Sequence, residues 1–329
     1  MERKAVKGLL SPVRSAGTRI HAWLPTTVDR RVRVIAWLSL LAQIGIVGTG
    51  GAVRLTGSGL GCPTWPRCTA DSFVNTPEMG IHGVIEFGNR LLTFVLAIIA
   101  ILAFLYVLRL RRDRPELFRL TLVIGAGIPA QAVLGGITVH TGLNPYVVGA
   151  HFVVSIVLIV LSTVLVYRVY FGPSSRVPMV PAWFANTAIV AAMFVAITIV
   201  VGILTTGSGP HAGDAGTPRN GLDPSVLQHF HSYPGYVTLG LTLVLLVGSA
   251  RLRLGLTQRL VGALLAVELV QIGVGVAQAR AGLPEILVGI HMVLACVLVA
   301  AMTAVVLSLS QTLSPVVEHS PTEHERSRL

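Results

Sequence analysis

The ten residues IHGVIEFGNR, Ile81–Arg90, open an apolar run long enough to cross a membrane, yet they carry His82, Glu86, Asn89 and Arg90. At 3.6 residues per helical turn, His82, Glu86 and either Asn89 or Arg90 share one stripe. Ionisable groups at bilayer depth cost roughly 2.5–3.5 kcal/mol each on insertion scales, so a carboxylate there marks a functional site by default. The rest of the chain reads as the packing, the partners and a second copy of this stripe.

The composition sets the class. Of 329 residues 53% are hydrophobic and 12% charged, and the mean hydropathy is +0.75. A soluble domain carries about 25% charge. The net charge of +11 does not point to nucleic acid, because the basic residues sit in short clusters between apolar runs, the footprint of membrane orientation. Eight segments are long enough to span, near 34–54, 80–108, 120–139, 147–167, 183–205, 226–249, 260–279 and 286–309. Lys and Arg crowd residues 1–33 and 109–119 and recur at Arg168, Arg176, Arg251, Arg253 and Arg259, whereas the opposite loops carry Arg54, Arg67, Arg219 and Arg280. This bias places both termini in the cytoplasm and 55–79, 140–146, 206–225 and 280–285 outside. Residues 1–33 read as a basic cytoplasmic tail without a signal peptide, and 312–329 as a disordered one.

The halves repeat. Gln131, Gly135, Gly142, Leu143, Gly149 and His151 recur 140 positions later as Gln271, Gly275, Gly282, Leu283, Gly289 and His291, and ThrGlySerGly at 56–59 returns at 206–209. At an offset of 142, Glu86 and Asn89 correspond to Gln228 and His231. A four-helix repeat keeps its orientation, so the expected fold is an all-α integral membrane protein: eight transmembrane helices in two pseudo-symmetric four-helix bundles related about the membrane normal. The expected divisions are the tail 1–33, a first bundle 34–170, a linker 171–182, a second bundle 183–309 and a tail 310–329. Glycines such as Gly48, Gly51, Gly135 and Gly275 read as close-packing positions.

His151, His231 and His291 each lie six or seven residues past a helix-starting proline (Pro145, Pro224, Pro284), ~10 Å below the outer surface. A lone intramembrane histidine is often a hydrogen-bonded core residue, but a shared depth on three helices favours ligation. Facing histidines in a bundle are a standard way to hold heme iron. His231 and His291 would supply two axial ligands in the second half. In the first, His151 matches His291, but the position matching His231 is Asn89, a poor iron ligand, and His82 sits about two turns nearer the surface, where it would ligate, cap a propionate or bond Glu86. Burial and the Arg90 charge pull oppositely on Glu86, leaving it either a proton acceptor or a structural i,i+4 partner of Arg90. Gln228 and Ser232 occupy those places in the second half, so acid/base chemistry belongs to the first half and cofactor binding to the second. His229 points away from His231, and His211 with Asp214 is at most an adventitious metal site. His21, His319 and His324 fall in the tails, and Cys296 is a packing residue in the last span. Cys62 and Cys68, in GCPTWPRC, lie in an outer loop and are expected to pair, the alternatives being free thiols or electron exchange with a partner.

The segment VRLTGSGLGCPTWPRC at 53–68 is similar to the first outer-loop signature of the heme A synthase family, and IEFGNR at 85–90 resembles its Glu-x-x-His-Arg segment. His151, His231 and His291 fall where that family places histidines; the resemblance covers roughly residues 34–309. It implies a bacterial cell-membrane oxidoreductase of cytochrome oxidase assembly that converts the C8 methyl of heme O to the formyl group of heme A. It further implies that Glu86 is the catalytic carboxylate, that His151 faces the iron of substrate heme O with His82 or Asn89 opposite, and that His231 and His291 ligate a heme B cofactor. Cys62 and Cys68 match the disulfide of bacterial members. The resemblance also admits the heme O-producing farnesyltransferase and a second copy of the chain as partners. The chain departs from the family at Asn89, usually His, at Ser232, often Arg, and in lacking a second cysteine pair in the third outer loop. Two other classes fit parts of the pattern: a non-enzymatic diheme electron carrier, and a transporter built on parallel repeats.

Overall fold

The computed structural model describes residues 23–173 and 180–310. Residues 1–22 of the first tail, with His21, 174–179 of the linker, with Arg176, and 311–329, with His319 and His324, lie outside the described residues.

Among the described residues, eight helices are long and apolar enough to cross a membrane. They are α1 (Arg30–Leu55), α2 (Gly80–Val107), α3 (Pro115–His140), α4 (Pro145–Phe171), α5 (Ala182–Ser208), α6 (Pro224–Arg251), α7 (Gly255–Arg280) and α8 (Glu285–Ser308). The expected spans all appear, and most extend several residues further. An apolar window senses hydrocarbon depth alone, whereas polar caps carry the helix into the interface. Asp29 starts α1 by accepting from the backbone N–H groups of Arg31 and Val32 at 2.9 and 3.2 Å. Asn144 and Asp223 cap α4 and α6 in the same way, each followed by a proline at the first helical position. Bonds from the Ser225 hydroxyl and backbone N–H hold the exposed Asp223 carboxyl below the usual carboxylate range.

The two tight hairpins repeat in detail. After α3, Gly142 and Leu143 take φ of 59° and 57°; after α7, Gly282 and Leu283 take 75° and 61°. Leu143 N–H reaches back to the Thr138 carbonyl, and Leu283 N–H to Gln278, each at 2.8 Å. This is the helix-ending turn that a left-handed glycine allows.

Packing falls into two rings. α1 contacts α2, α2 contacts α3, α3 contacts α4, and α4 closes on α1; α5 to α8 do the same. The rings meet through α1–α8, α4–α8 and α4–α5. Small residues set this seam: Gly48 abuts Val293 and Gly51 abuts Met292 across α1–α8, and Gly149 abuts Ile203 across α4–α5. The ends that carry the 55–79 and 206–225 loops are stitched as well. Arg54 of α1 donates to the carbonyls of His211 and Thr206 at 2.6 and 3.1 Å, and Gly59 N–H donates to Gly213 at 2.9 Å. His211, read from sequence as at most an adventitious metal ligand, instead donates through Nε2 to the Leu283 carbonyl at 2.9 Å.

Candidate functional site: a cavity shared by both halves

A cavity of about 1450 Å³ is lined by both halves, including Glu86, Asn89, Arg90 and His151 from the first and Gln228, His231, Glu268 and His291 from the second. A single small-ligand site takes roughly 300–1,000 Å³.

In the second half His231 and His291 face each other with ring centroids 6.0 Å apart. His231 Nδ1 lies 3.0 Å from the Thr198 carbonyl. A carbonyl can only accept, so Nδ1 carries the hydrogen and the Nε2 lone pair is free. Imidazole–metal bonds of about 2 Å, with about 1 Å more from nitrogen to ring centre, put two rings on one metal about 6 Å apart. Glycine makes the room. A Cβ at Gly202 would lie 2.8 Å from His231 Cε1, and one at Gly275 3.1 Å from His291 Cε1. Among the described residues no group of three His, Cys, Asp or Glu could hold a bare metal ion. Iron already held by four porphyrin nitrogens needs only two axial ligands, so the donor set fits a heme.

The first half is built differently. His151 stands at the matching place, with a Cβ at Gly135 at 3.5 Å from its Cε1. Asn89, at the place that His231 holds in the second half, also lines the cavity and accepts a 2.8 Å hydrogen bond from the Thr49 hydroxyl. His82 is exposed, lies outside the cavity lining and pairs through Nδ1 with the Ser58 hydroxyl at 2.9 Å.

Glu86 is 6% exposed. Its Oε2 accepts from Cys62 N–H at 2.6 Å, and its Oε1 from Arg90 Nη2 and Nε at 2.5 and 3.2 Å. Arg90 also donates to the carbonyls of Cys62, Thr64 and Arg67 at 3.0–3.2 Å. The i,i+4 pair therefore exists, and it also ties the loop closed by the Cys62–Cys68 disulfide onto α2. That loop covers the first half: Trp65 packs on Gly136, and its carbonyl accepts from His140 Nε2 at 3.1 Å. A carboxylate has about four acceptor directions; three are occupied here.

Three features escaped the sequence reading. Gly135 and Gly275 are more than packing positions, because they seat imidazole rings, as does Gly202, which was not singled out. Glu268 is a second buried carboxyl, 4% exposed; Oε1 accepts from Thr242 at 2.8 Å, and Oε2 has no hydrogen-bond partner among the described residues. Glu86 has no twin at its own level, but the second half is not free of carboxylates. The signal was present, since an acid inside an apolar span is the feature that singled out Glu86. His229, expected to point away from His231, stacks on Tyr233 and is among the cavity-lining residues.

Comparison with known proteins agrees with this architecture. Over 144 residues the chain is 32% identical to the heme A synthase of Geobacillus thermodenitrificans, covering 43% of this chain and 44% of that protein. It is 32% identical to that of Geobacillus kaustophilus over 140 residues, covering 42% and 43%, and 30% identical to that of Listeria welshimeri over 146 residues, covering 42% and 46%. The matched stretches thus span less than half the length of these relatives. The family model described as cytochrome oxidase assembly protein (COX15-CtaA) matches residues 33–303, most of the chain. With eight membrane-length helices among the described residues and that match, the chain is a multi-pass membrane protein belonging to the cytochrome oxidase assembly protein family.

Proposed function

We propose that the chain is a heme A synthase that oxidises the C8 methyl of heme O to a formyl group. The observation that carries this reading is the pair of imidazoles 6.0 Å apart, His231 and His291, in one cavity with His151 and Glu86. In the second bundle, 183–309, His231 and His291 would hold heme B, which would supply an outlet for electrons when bound. The first bundle, 34–170, takes heme O as substrate, with His151 toward its iron. Asn89 lines the cavity and His82 does not, which supports Asn89 as the residue opposite His151. An amide already engaged by Thr49 is a poor ligand, so the substrate iron has one protein imidazole.

Glu86 takes protons released as the methyl is oxidised. Its fourth acceptor direction is available for this, while Cys62 N–H and Arg90 fix the carboxylate against rotation. The positive clusters on one side support cytoplasmic termini in a bacterial cell membrane. Heme O is lipophilic, so delivery within the bilayer from the farnesyltransferase that makes it is the corresponding partnership.

The test is pigment analysis of membranes supplied with heme O. Glu86→Gln keeps heme bound but slows heme A formation by about 10²–10⁴-fold, the usual worth of a general base, with heme O or an alcohol intermediate accumulating. Parental heme A output from this variant rejects the role of Glu86. Bound heme without any heme A from the unaltered chain rejects the synthase reading and leaves an electron carrier.

A further inference from the structure

Two glutamines occupy matching places in the repeat, Gln131 on α3 and Gln271 on α7. Each donates Nε2 to the backbone carbonyl of its own half's histidine, Gln131 to His151 at 3.2 Å and Gln271 to His291 at 3.1 Å. Each also buries its amide Oε1 without a hydrogen-bond partner among the described residues, and Nδ1 of each of those histidines is buried without a hydrogen bond of ordinary geometry, the Gln271 backbone carbonyl being the competing acceptor beside His291. The ring edges face the glutamine helices. A Cβ at Gly135 would lie 4.0 Å from His151 Nδ1, and one at Gly275 3.6 Å from His291 Nδ1. Gln131 and Gln271 stand four residues before those glycines, one turn along the same stripe.

Buried donors and acceptors without partners are rare in native proteins. Here one imidazole nitrogen and one amide oxygen are orphaned together, twice, on side chains already joined through the histidine carbonyl. An imidazole whose Nε2 binds a metal carries its hydrogen on Nδ1, which then needs an acceptor. His231 has one in the Thr198 carbonyl.

We propose that Gln131 and Gln271 are positioning residues for the axial imidazoles of His151 and His291. In the heme-loaded protein each Oε1 accepts from the histidine Nδ1–H while Nε2 keeps that histidine's carbonyl, so one amide holds both ring and backbone. The inference rests on the heme reading above. It adds that the neutral amide sets the donor strength of the imidazole. A carboxylate in its place would draw harder on Nδ1–H and make the ring a stronger donor that favours oxidised iron.

The experiment uses purified, heme-loaded full chain and reads heme retention and the midpoint potential of the bis-imidazole heme. Gln271→Leu, without an acceptor, is expected to weaken heme retention by about 10–100-fold and raise the potential. Gln271→Glu is expected to keep heme and lower the potential. Should the charged variant fail to accumulate, Gln271→Met, nearly isosteric and without an acceptor, must reproduce the leucine shift. A pure packing role would not move the potential in opposite directions for leucine and glutamate. Parental potentials in the variants, or shifts of one sign in both leucine and glutamate, overturn the inference. Absence of a bis-imidazole spectrum from the unaltered protein overturns the heme reading instead.

Discussion

The first half spends its buried charge on the loop that covers it, whereas the second half turns its buried imidazoles toward each other. Glu86 and Arg90 together hold Cys62, Thr64 and Arg67 of the disulfide loop. At the level where the first half has Glu86 and Asn89, the second has Gln228 and His231, and the neighbouring loop leans on Arg54 from the other half. One repeat unit has thus become two unlike ends of one cavity. One has a single imidazole, a carboxylate and a fixed lid; the other has two imidazoles without the acid at that level. A pocket that must bind and release a substrate gains from having one axial ligand. A pocket that keeps its cofactor gains from two.

The largest effect expected from this contrast is on heme content. His291→Ala should abolish the bis-imidazole spectrum expected of the purified protein, because one of the two proposed axial donors is gone. His151→Ala should leave that spectrum intact and weaken retention of heme O alone. Equal loss of the spectrum in both variants would break the division between halves.

A smaller effect sharpens it. Gly202→Ala puts a methyl 2.8 Å from His231 Cε1, closer than real Cβ contacts come, and the ring is held by the Thr198 carbonyl. The ring must tilt, and heme retention in the second half should fall by about 10–100-fold, as for other changes that misorient a ligand. Gly135→Ala meets His151 at 3.5 Å, an ordinary contact, and should be tolerated. Titration of stripped protein with heme measures both. Equal tolerance would mean that the two cradles are equally roomy.

The spans, the repeat and the three histidines were legible because each rests on a local rule: apolar length, fixed offset, or depth counted from a proline. His82 was not legible in the same way. A helical stripe gives the angle of a side chain but not what caps the helix, and Ser58 from the 55–79 loop claims the ring. Gly202 was hidden because its purpose depends on a ring from another helix. The 55–79 loop could be read as outer and disulfide-bearing, but its hold on Arg90 runs through backbone carbonyls, which sequence pattern does not mark.

The smallest effect concerns Glu268, the acid that complicates the contrast. In the repeat it aligns with Ile128, also a buried residue. Its Oε2 has no hydrogen-bond partner among the described residues, and an unsatisfied buried polar group costs about 1–3 kcal/mol. If the second half only holds a cofactor, Glu268→Leu should remove that cost and restore what Ile128 does in the first half. Thermal unfolding in detergent should then rise by a few degrees, with heme content unchanged. Thr242 loses its acceptor, but a helical threonine hydroxyl can turn to the carbonyl four residues back, as Thr238 does to Pro234 at 2.9 Å. A variant that gains stability but loses heme or activity would show that both pockets use a carboxyl. The halves would then differ in the depth at which they keep their acid.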